Sequence, residues 1–180
     1  MRKKLLVLSD THGSVAAIAA VLGWAKDISP AAAVFLGDGL DDVEEAIAAT
    51  GFSCRWHRVR GNNDFGFPDA EAATFDLAGH RFFACHGHRH NLYGGMDSLA
   101  AAARNLRADA ALFGHTHVPH VGSADGVFLL NPGSLGSPRG GAGATFAVVE
   151  CARWEPLRPT FWEVAFDAEG RPTVSGTGAP

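Results

Sequence analysis

The 180-residue sequence predicts an α/β fold, with parallel sheet in its first half and much antiparallel sheet in its second. Three observations predict it. Short apolar runs, Leu5–Leu8 and Val34–Leu36, stop at polar glycine-bearing loops, as buried strands do. Each is followed by a stretch with helical spacing, and the repeated order strand–loop–helix places parallel strands side by side. After residue 70 the β-like runs come closer together with short connections, which suits antiparallel pairing.

The first strand, Leu5–Leu8, meets Ser9-Asp10-Thr11-His12-Gly13. Ser14 is placed to cap a helix whose apolar stripe is Val15, Ile18, Ala19 and Leu22, running to Lys26 and closed by Pro30. Val34–Leu36 ends in Gly37-Asp38-Gly39. Asp41 or Asp42 can then cap a second helix, a solvated start with Glu44 and Glu45 in its first turn and Gly51 at its end. Arg55–Arg60 alternates as a strand and stops at Gly61-Asn62-Asn63-Asp64. Thr74–Leu77 and Arg81–Cys85 read as a hairpin turned at Ala78-Gly79, and Ser98–Arg107 as an alanine-rich helix. Further strands are expected at Ala110–Phe113, Val127–Leu130, Thr145–Cys151 and Thr160–Phe166. Residues 1–166 form one domain on this reading. Residues 167–180, polar and rich in Gly and Pro, form a loose tail.

Composition narrows the function. Hydrophobic residues make up 47% and charged residues 19%, so the chain is globular, and its length supports a core without disulfides. A formal net charge of −4 gives no electrostatic drive for nonspecific nucleic-acid binding, and none is expected. Met1-Arg2-Lys3-Lys4 is too closely followed by Asp10 to open a secretory signal, and no apolar run spans a bilayer, so no membrane association is expected. The three cysteines, Cys54, Cys85 and Cys151, are odd in number and far apart, which suits a reducing cytoplasm. Phe161, Trp162 and Phe166 are candidates for core or for the surface of a homo-oligomer.

The residues that carry chemistry stand just past the apolar runs: Asp10, His12, Asp38, Asn62, His86, His115 and His117. Open α/β sheets place their ligand crevice at these strand ends. Imidazole, carboxylate and amide oxygen make a metal site without sulfur. Spacing i, i+2 in extended backbone would aim Asp10 with His12, and His115 with His117, to one side, while Cys85 should point away from His86. His57, His80, His90 and His120 read as structural or surface histidines, and the four tryptophans as core or interface. Asp64 suits either a turn or the support of a ligand, and Asn131 and Arg139 either a loop or a phosphate contact.

Asp10-Thr11-His12, Gly37-Asp38, Gly61-Asn62-Asn63-Asp64, His86-Gly87-His88 and Gly114-His115-Thr116-His117 stand in an order that resembles the calcineurin-like metallophosphoesterase superfamily. The length, and Asn131-Pro132-Gly133-Ser134 followed by Arg139, resemble its small single-domain phosphodiesterase branch. The resemblance implies two packed mixed β-sheets flanked by helices. It also implies a binuclear centre: Asp10, His12 and His117 on one divalent ion, Asn62, His86 and His115 on the other, Asp38 bridging. Such a centre attacks a phosphate ester with a metal-bound hydroxide, and two carboxylates against two dications leave it positive enough to draw an anionic substrate. Manganese, iron, zinc, nickel and magnesium suit the ligands, with manganese favoured for activity. A small phosphate diester is the implied substrate, with a monoester as the alternative.

One position departs from the wider superfamily, where a histidine follows the asparagine of the third motif. Here Asn63 stands there and cannot act as a general acid. His88 is the candidate for a proton or a hydrogen bond to phosphate. His86-Gly87-His88-Arg89-His90 superficially resembles the HxHxDH motif of metallo-β-lactamases, but Arg89 replaces the aspartate. A TIM-barrel amidohydrolase needs a longer chain, about 250 residues. The rival from another class is a non-catalytic protein scaffold of the same superfamily, like the retromer subunit; such a relative would have lost metal ligands, and here all seven are present.

Overall fold

Residues 1–178 are described in the structure, a computed structural model. Lys3–Leu8 (β1), Ala32–Phe35 (β2) and Trp56–Arg58 (β3) are parallel, joined through helices Val15–Ile28 (α1) and Leu40–Thr50 (α2). The chain then crosses to a second sheet. Ala72–Leu77 (β4) and His80–Cys85 (β5) form the expected hairpin, and Ala78 and Gly79 both take positive φ at its turn. Helix Asp97–Asn105 (α3) leads to Ala110–Leu112 (β6), followed by His120–Ala124 (β7) and Val127–Asn131 (β8). The chain returns to the first sheet with Ala144–Cys151 (β9), Arg158–Phe166 (β10) and Pro172–Gly176 (β11). The sheets run β11-β10-β9-β1-β2-β3 and β4-β5-β6-β8-β7, both mixed.

Alternation along the strands builds three apolar layers. Leu6, Leu8, Phe35 and Phe146 face α1 and α2, while Leu5, Val7, Val34 and Val149 face the other way into the space between the sheets. Phe82 and Leu112 meet them there from the second sheet, whose outer face carries Phe83, Cys85 and Leu129 under α3. The order is helix, sheet, sheet, helix. Strands buried on both faces explain why β1 and β2 read as unbroken apolar runs. Cys85 points outward, away from His86, as alternation requires.

Three expectations need correction. The segment after Phe166 is not a loose tail throughout: Pro172–Gly176 pairs antiparallel with β10, and Val174 packs beside Trp162 on the first apolar layer. Ala179 and Pro180 lie outside the described residues. Ser14 precedes α1 but caps it with its carbonyl, not its side chain. Asp41 and Asp42 lie inside α2 rather than capping it, and Asp42 is buried. Of the core-or-interface reading of the tryptophans, Trp154, 87% exposed with the Arg153 guanidinium over its ring, falls outside the core. Among the described residues no helix is long and apolar enough to cross a membrane.

Candidate metal centre

Every candidate ligand lies in a loop at the C-terminal end of a parallel strand. Asp10 and His12 follow β1, Asp38 follows β2, Asn62 follows β3, His86 follows β5, and His115 and His117 follow β6. The two sheets bring these ends together. Backbone bonds tie the loops, with Asp10 N–H donating to Gly37 O, Thr11 N–H to Asp38 O and Gly114 N–H to His86 O, all near 3.0 Å.

The side chains converge on the Asp10 and Asp38 carboxylates. His117 Nε2 is 3.1 Å from Asp10 Oδ1 and 3.2 Å from His12 Nε2. His86 Nε2 is 3.4 Å from Asp38 Oδ2 and 4.0 Å from Asp10 Oδ1. Donors around one ion with bonds of about 2.1 Å sit about 3.0–3.5 Å apart along the edges of an octahedron or tetrahedron. Asp10, His12 and His117 make one such cluster; Asp10, Asp38 and His86 make a second. Asp10 thus belongs to both.

Whether these groups suit a metal is decided by where their protons go. His86 Nδ1 lies 2.8 Å from Leu36 O, and His117 Nδ1 lies 2.7 Å from Ser137 O. A carbonyl only accepts, so each Nδ1 carries the hydrogen and each Nε2 turns a lone pair inward. Asp10 Oδ1 and His86 Nε2 are buried and make no hydrogen bond, although buried polar atoms are nearly always paired. Unpaired acceptors aimed at a common space fit a divalent cation.

The supporting bonds are equally specific. Asp10 Oδ2 accepts from Ser9 Oγ at 2.5 Å and from His115 N–H at 3.0 Å. Asp38 Oδ1 accepts from the Asn63 N–H and Oδ2 from the Asn63 amide. Thr11 Oγ1 and the Gly13 N–H both donate to Asp42 Oδ2, which pins the Asp10–His12 loop to α2. Asn131 Nδ2 donates to Gly114 O and Thr116 Oγ1, so this residue holds the His115–His117 loop. Arg139 is exposed, and its N–H donates to His117 O. Close approach needs glycine at Gly61 and Gly114. A Cβ on the first would occupy the Asp38 carboxylate, and one on the second would strike Ser9 Oγ.

The remaining candidates are placed unequally. His115 lies outside both clusters, its ring centroid 5.1 Å from that of His86. His88 is half-buried with its centroid 5.5 Å from His86, and Asn62 is exposed on the adjoining cleft. His57 stacks on Phe75 at 3.9 Å and His80 Nε2 meets Ala152 O at 3.0 Å, both away from the centre. A larger hollow of about 440 Å³ behind Val118 and Gly140–Gly143 is lined by none of the candidate ligands, so its size does not mark the chemistry.

Extended backbone does not bring the ligands together. Asp10, His12, Asp38, His115 and His117 all have positive φ, between 42° and 67°. Non-glycine residues in the left-handed region cost on the order of 1–3 kcal/mol each where the conformation is strained, and Asp and His bear it better than most. The inter-loop hydrogen bonds offset that cost. Sequence patterns carry no signal for it, because none of the five is glycine.

Without metal the centre is a set of carboxylate–imidazole pairs. Burial opposes ionisation of Asp10, but His117, His12, His86 and Ser9 outweigh it and hold its carboxyl well below the usual range. Asp10 raises the His12 pKa, and for His86 burial pulls the pKa down but Asp38, Asp10 and the Leu36 carbonyl together outweigh it and raise it too. A depressed carboxylate stabilises above its unfolded pKa and loses that contribution as pH falls through the folded one. A raised imidazole stabilises below its unfolded pKa and loses its contribution as pH rises through the folded one. Metal competes with the protons on His12 and His86. The rise in melting temperature on adding manganese should therefore grow as pH climbs through the raised imidazole range. Paired melts in manganese and in chelator check this, and a gain that shrinks with pH would contradict it.

The calcineurin-like phosphoesterase superfamily domain matches residues 4–153. Phosphodiesterase YfcE of Escherichia coli is 31% identical over 167 residues, covering 82% of this chain and 87% of the relative. A conserved protein of Streptococcus pneumoniae, described as a predicted phosphoesterase, superposes with a TM-score of 0.77 at 23% identity over 98% of this chain and 99% of its own. Vps29 of Entamoeba histolytica, solved in complex with zinc, gives 0.69 at 19% identity over 97% and 98%. The last two show the fold alone. The chain, by sequence match over most of its length, belongs to the calcineurin-like phosphoesterase superfamily.

Proposed function

We propose that the protein is a metal-dependent phosphodiesterase that hydrolyses a small phosphate ester at a centre of two divalent ions, manganese favoured. The observation that carries this reading is the convergence of Asp10 Oδ1 and His86 Nε2, buried and without hydrogen bonds, beside Asp38 and His117. Asp10, His12 and His117 would hold one ion, and His86, His115 and Asn62 the other, with Asp38 available to both and Asp10 Oδ1 in reach of both clusters. The ions, when bound, supply Lewis-acid activation of water and positive charge for the phosphoryl oxygens. The protein supplies orientation: Asn63 fixes both oxygens of Asp38, Leu36 O and Ser137 O fix two imidazoles, and His88 stands ready to hydrogen-bond the phosphate. YfcE, named a phosphodiesterase, supports the diester preference over a monoester. The three unpaired cysteines support a cytoplasmic setting. The likeness to Vps29 keeps a non-catalytic scaffold as the second reading.

Chelator-stripped protein with each divalent ion added back should hydrolyse bis-p-nitrophenyl phosphate faster than p-nitrophenyl phosphate. A folded protein inactive with every ion would return the scaffold reading. The Asn63 amide is committed to Asp38 and offers no titratable proton, so rates across a series of aryl and alkyl esters should fall steeply as the leaving group becomes more basic. Equal rates across that series would show that another residue protonates the leaving group.

A further inference from the structure

Exposed apolar side chains gather at the rim of the metal centre. Seven large ones are exposed among the described residues, and three of them flank candidate ligands. Phe65, 85% exposed, follows Asn62 by three residues; Val118 adjoins His117; and Tyr93, 72% exposed, has its ring centroid 6.2 Å from that of His115. Single exposed apolar residues are ordinary, but a group of them around a polar site marks where a ligand is covered.

Phe65 lines a cleft of about 290 Å³ that opens beside Asn62 and His88. Its other walls include Arg60 and Arg89. Glu71 lies between the two guanidinium groups, 3.2 Å from Arg60 and 2.6 Å from Arg89, and holds both in place. A phenyl ring, an imidazole and two guanidinium planes are all stacking surfaces. The Glu71 carboxylate cancels half of the arginine charge and disfavours a second phosphate in the cleft. The walls therefore suit a planar group of low charge attached to the phosphate held at the ions.

We propose that this cleft is the subsite for the ester group and takes a planar aromatic one, an aryl ring or a nucleobase, stacked on Phe65. The inference rests on the phosphodiesterase reading for the position of the phosphate. Base–aromatic stacking changes affinity about five- to a hundred-and-fiftyfold per ring.

The test is calorimetric binding of methylphosphonate, phenylphosphonate and thymidine 5′-monophosphate to manganese-loaded protein, in wild type, Phe65→Ala and Phe65→Tyr. Phe65 is exposed and makes no core contact that its loss would break, so both variants should fold. One or both aromatic ligands should bind about tenfold more tightly than methylphosphonate in wild type. That preference should vanish in Phe65→Ala and survive in Phe65→Tyr. Preference for phenylphosphonate alone assigns an aryl group, and for the nucleotide alone a nucleobase. Equal affinity for all three, or a preference unchanged in Phe65→Ala, overturns the proposal. If the preference is present while no ester is hydrolysed, the subsite stands and the phosphodiesterase reading fails. If none of the three binds, both fall.

Discussion

Replacing Asp64 with alanine is expected to cost about 3–5 kcal/mol of stability and at least about a hundredfold in activity. The reason is the number of backbone groups its carboxylate serves. Oδ2 accepts from Asp38 N–H and Gly61 N–H, each at 2.7 Å, and Oδ1 accepts from Gly39 N–H at 2.8 Å and Leu40 N–H at 3.0 Å. These donors include the first free N–H groups of α2, so Asp64 caps that helix from a different loop. Asp64 is 6% exposed, and alanine would leave four donors without their partner, two of them, the Asp38 and Leu40 N–H groups, buried. Each unpaired donor costs about 1–3 kcal/mol, less than additively because the loop relaxes. The same bonds set the backbone of Asp38, so the variant should also bind manganese more weakly. Denaturant melts, a manganese titration and kcat measured on folded protein separate these effects. A variant with wild-type manganese affinity and kcat would show that Asp64 stabilises the loop without positioning the centre.

Asp10→Asn should abolish metal binding at both positions while leaving a folded protein, with activity reduced at least about a thousandfold. The amide oxygen can still accept from Ser9 Oγ and His115 N–H, as Oδ2 does now. The amide nitrogen then takes the place of Oδ1 and turns hydrogens toward the space that the clusters share. Saturating manganese at about a hundred times its Kd should stabilise wild type by about 2.7 kcal/mol for each site filled and the variant not at all. Melting curves with and without manganese give both numbers. A variant that kept the manganese-induced rise would remove Asp10 from the centre.

The parallel half of the fold was legible because its strands are buried on both faces and end at glycine-bearing loops. The five clustered residues, Asp10, His12, Asp38, His86 and His117, were legible for the same reason: each sits where an apolar run stops. Strands β7 and β11 were not. His120–Ala124 and Pro172–Gly176 lie at sheet edges, where one partner strand supplies the hydrogen bonds and few side chains need be apolar. Asp42 read as a helix-start acid and Asp64 as a turn or ligand-supporting acid because their work is done across 31 and 25 residues of intervening chain, on Thr11 and Gly39 respectively. Local pattern carries no trace of such pairs. The left-handed backbone at Asp10, Asp38 and His117 is likewise imposed by neighbouring loops rather than by residue type.

Two ions organised by Asp10 and Asp38, as proposed, would be visible directly. Anomalous diffraction at the manganese edge from crystals soaked in manganese is the test. Two peaks per chain are expected, about 3.5–4 Å apart, with the Asp38 carboxylate between them and Asp10 Oδ1 on at least one. A single peak, or peaks remote from Asp10 and Asp38, would contradict it.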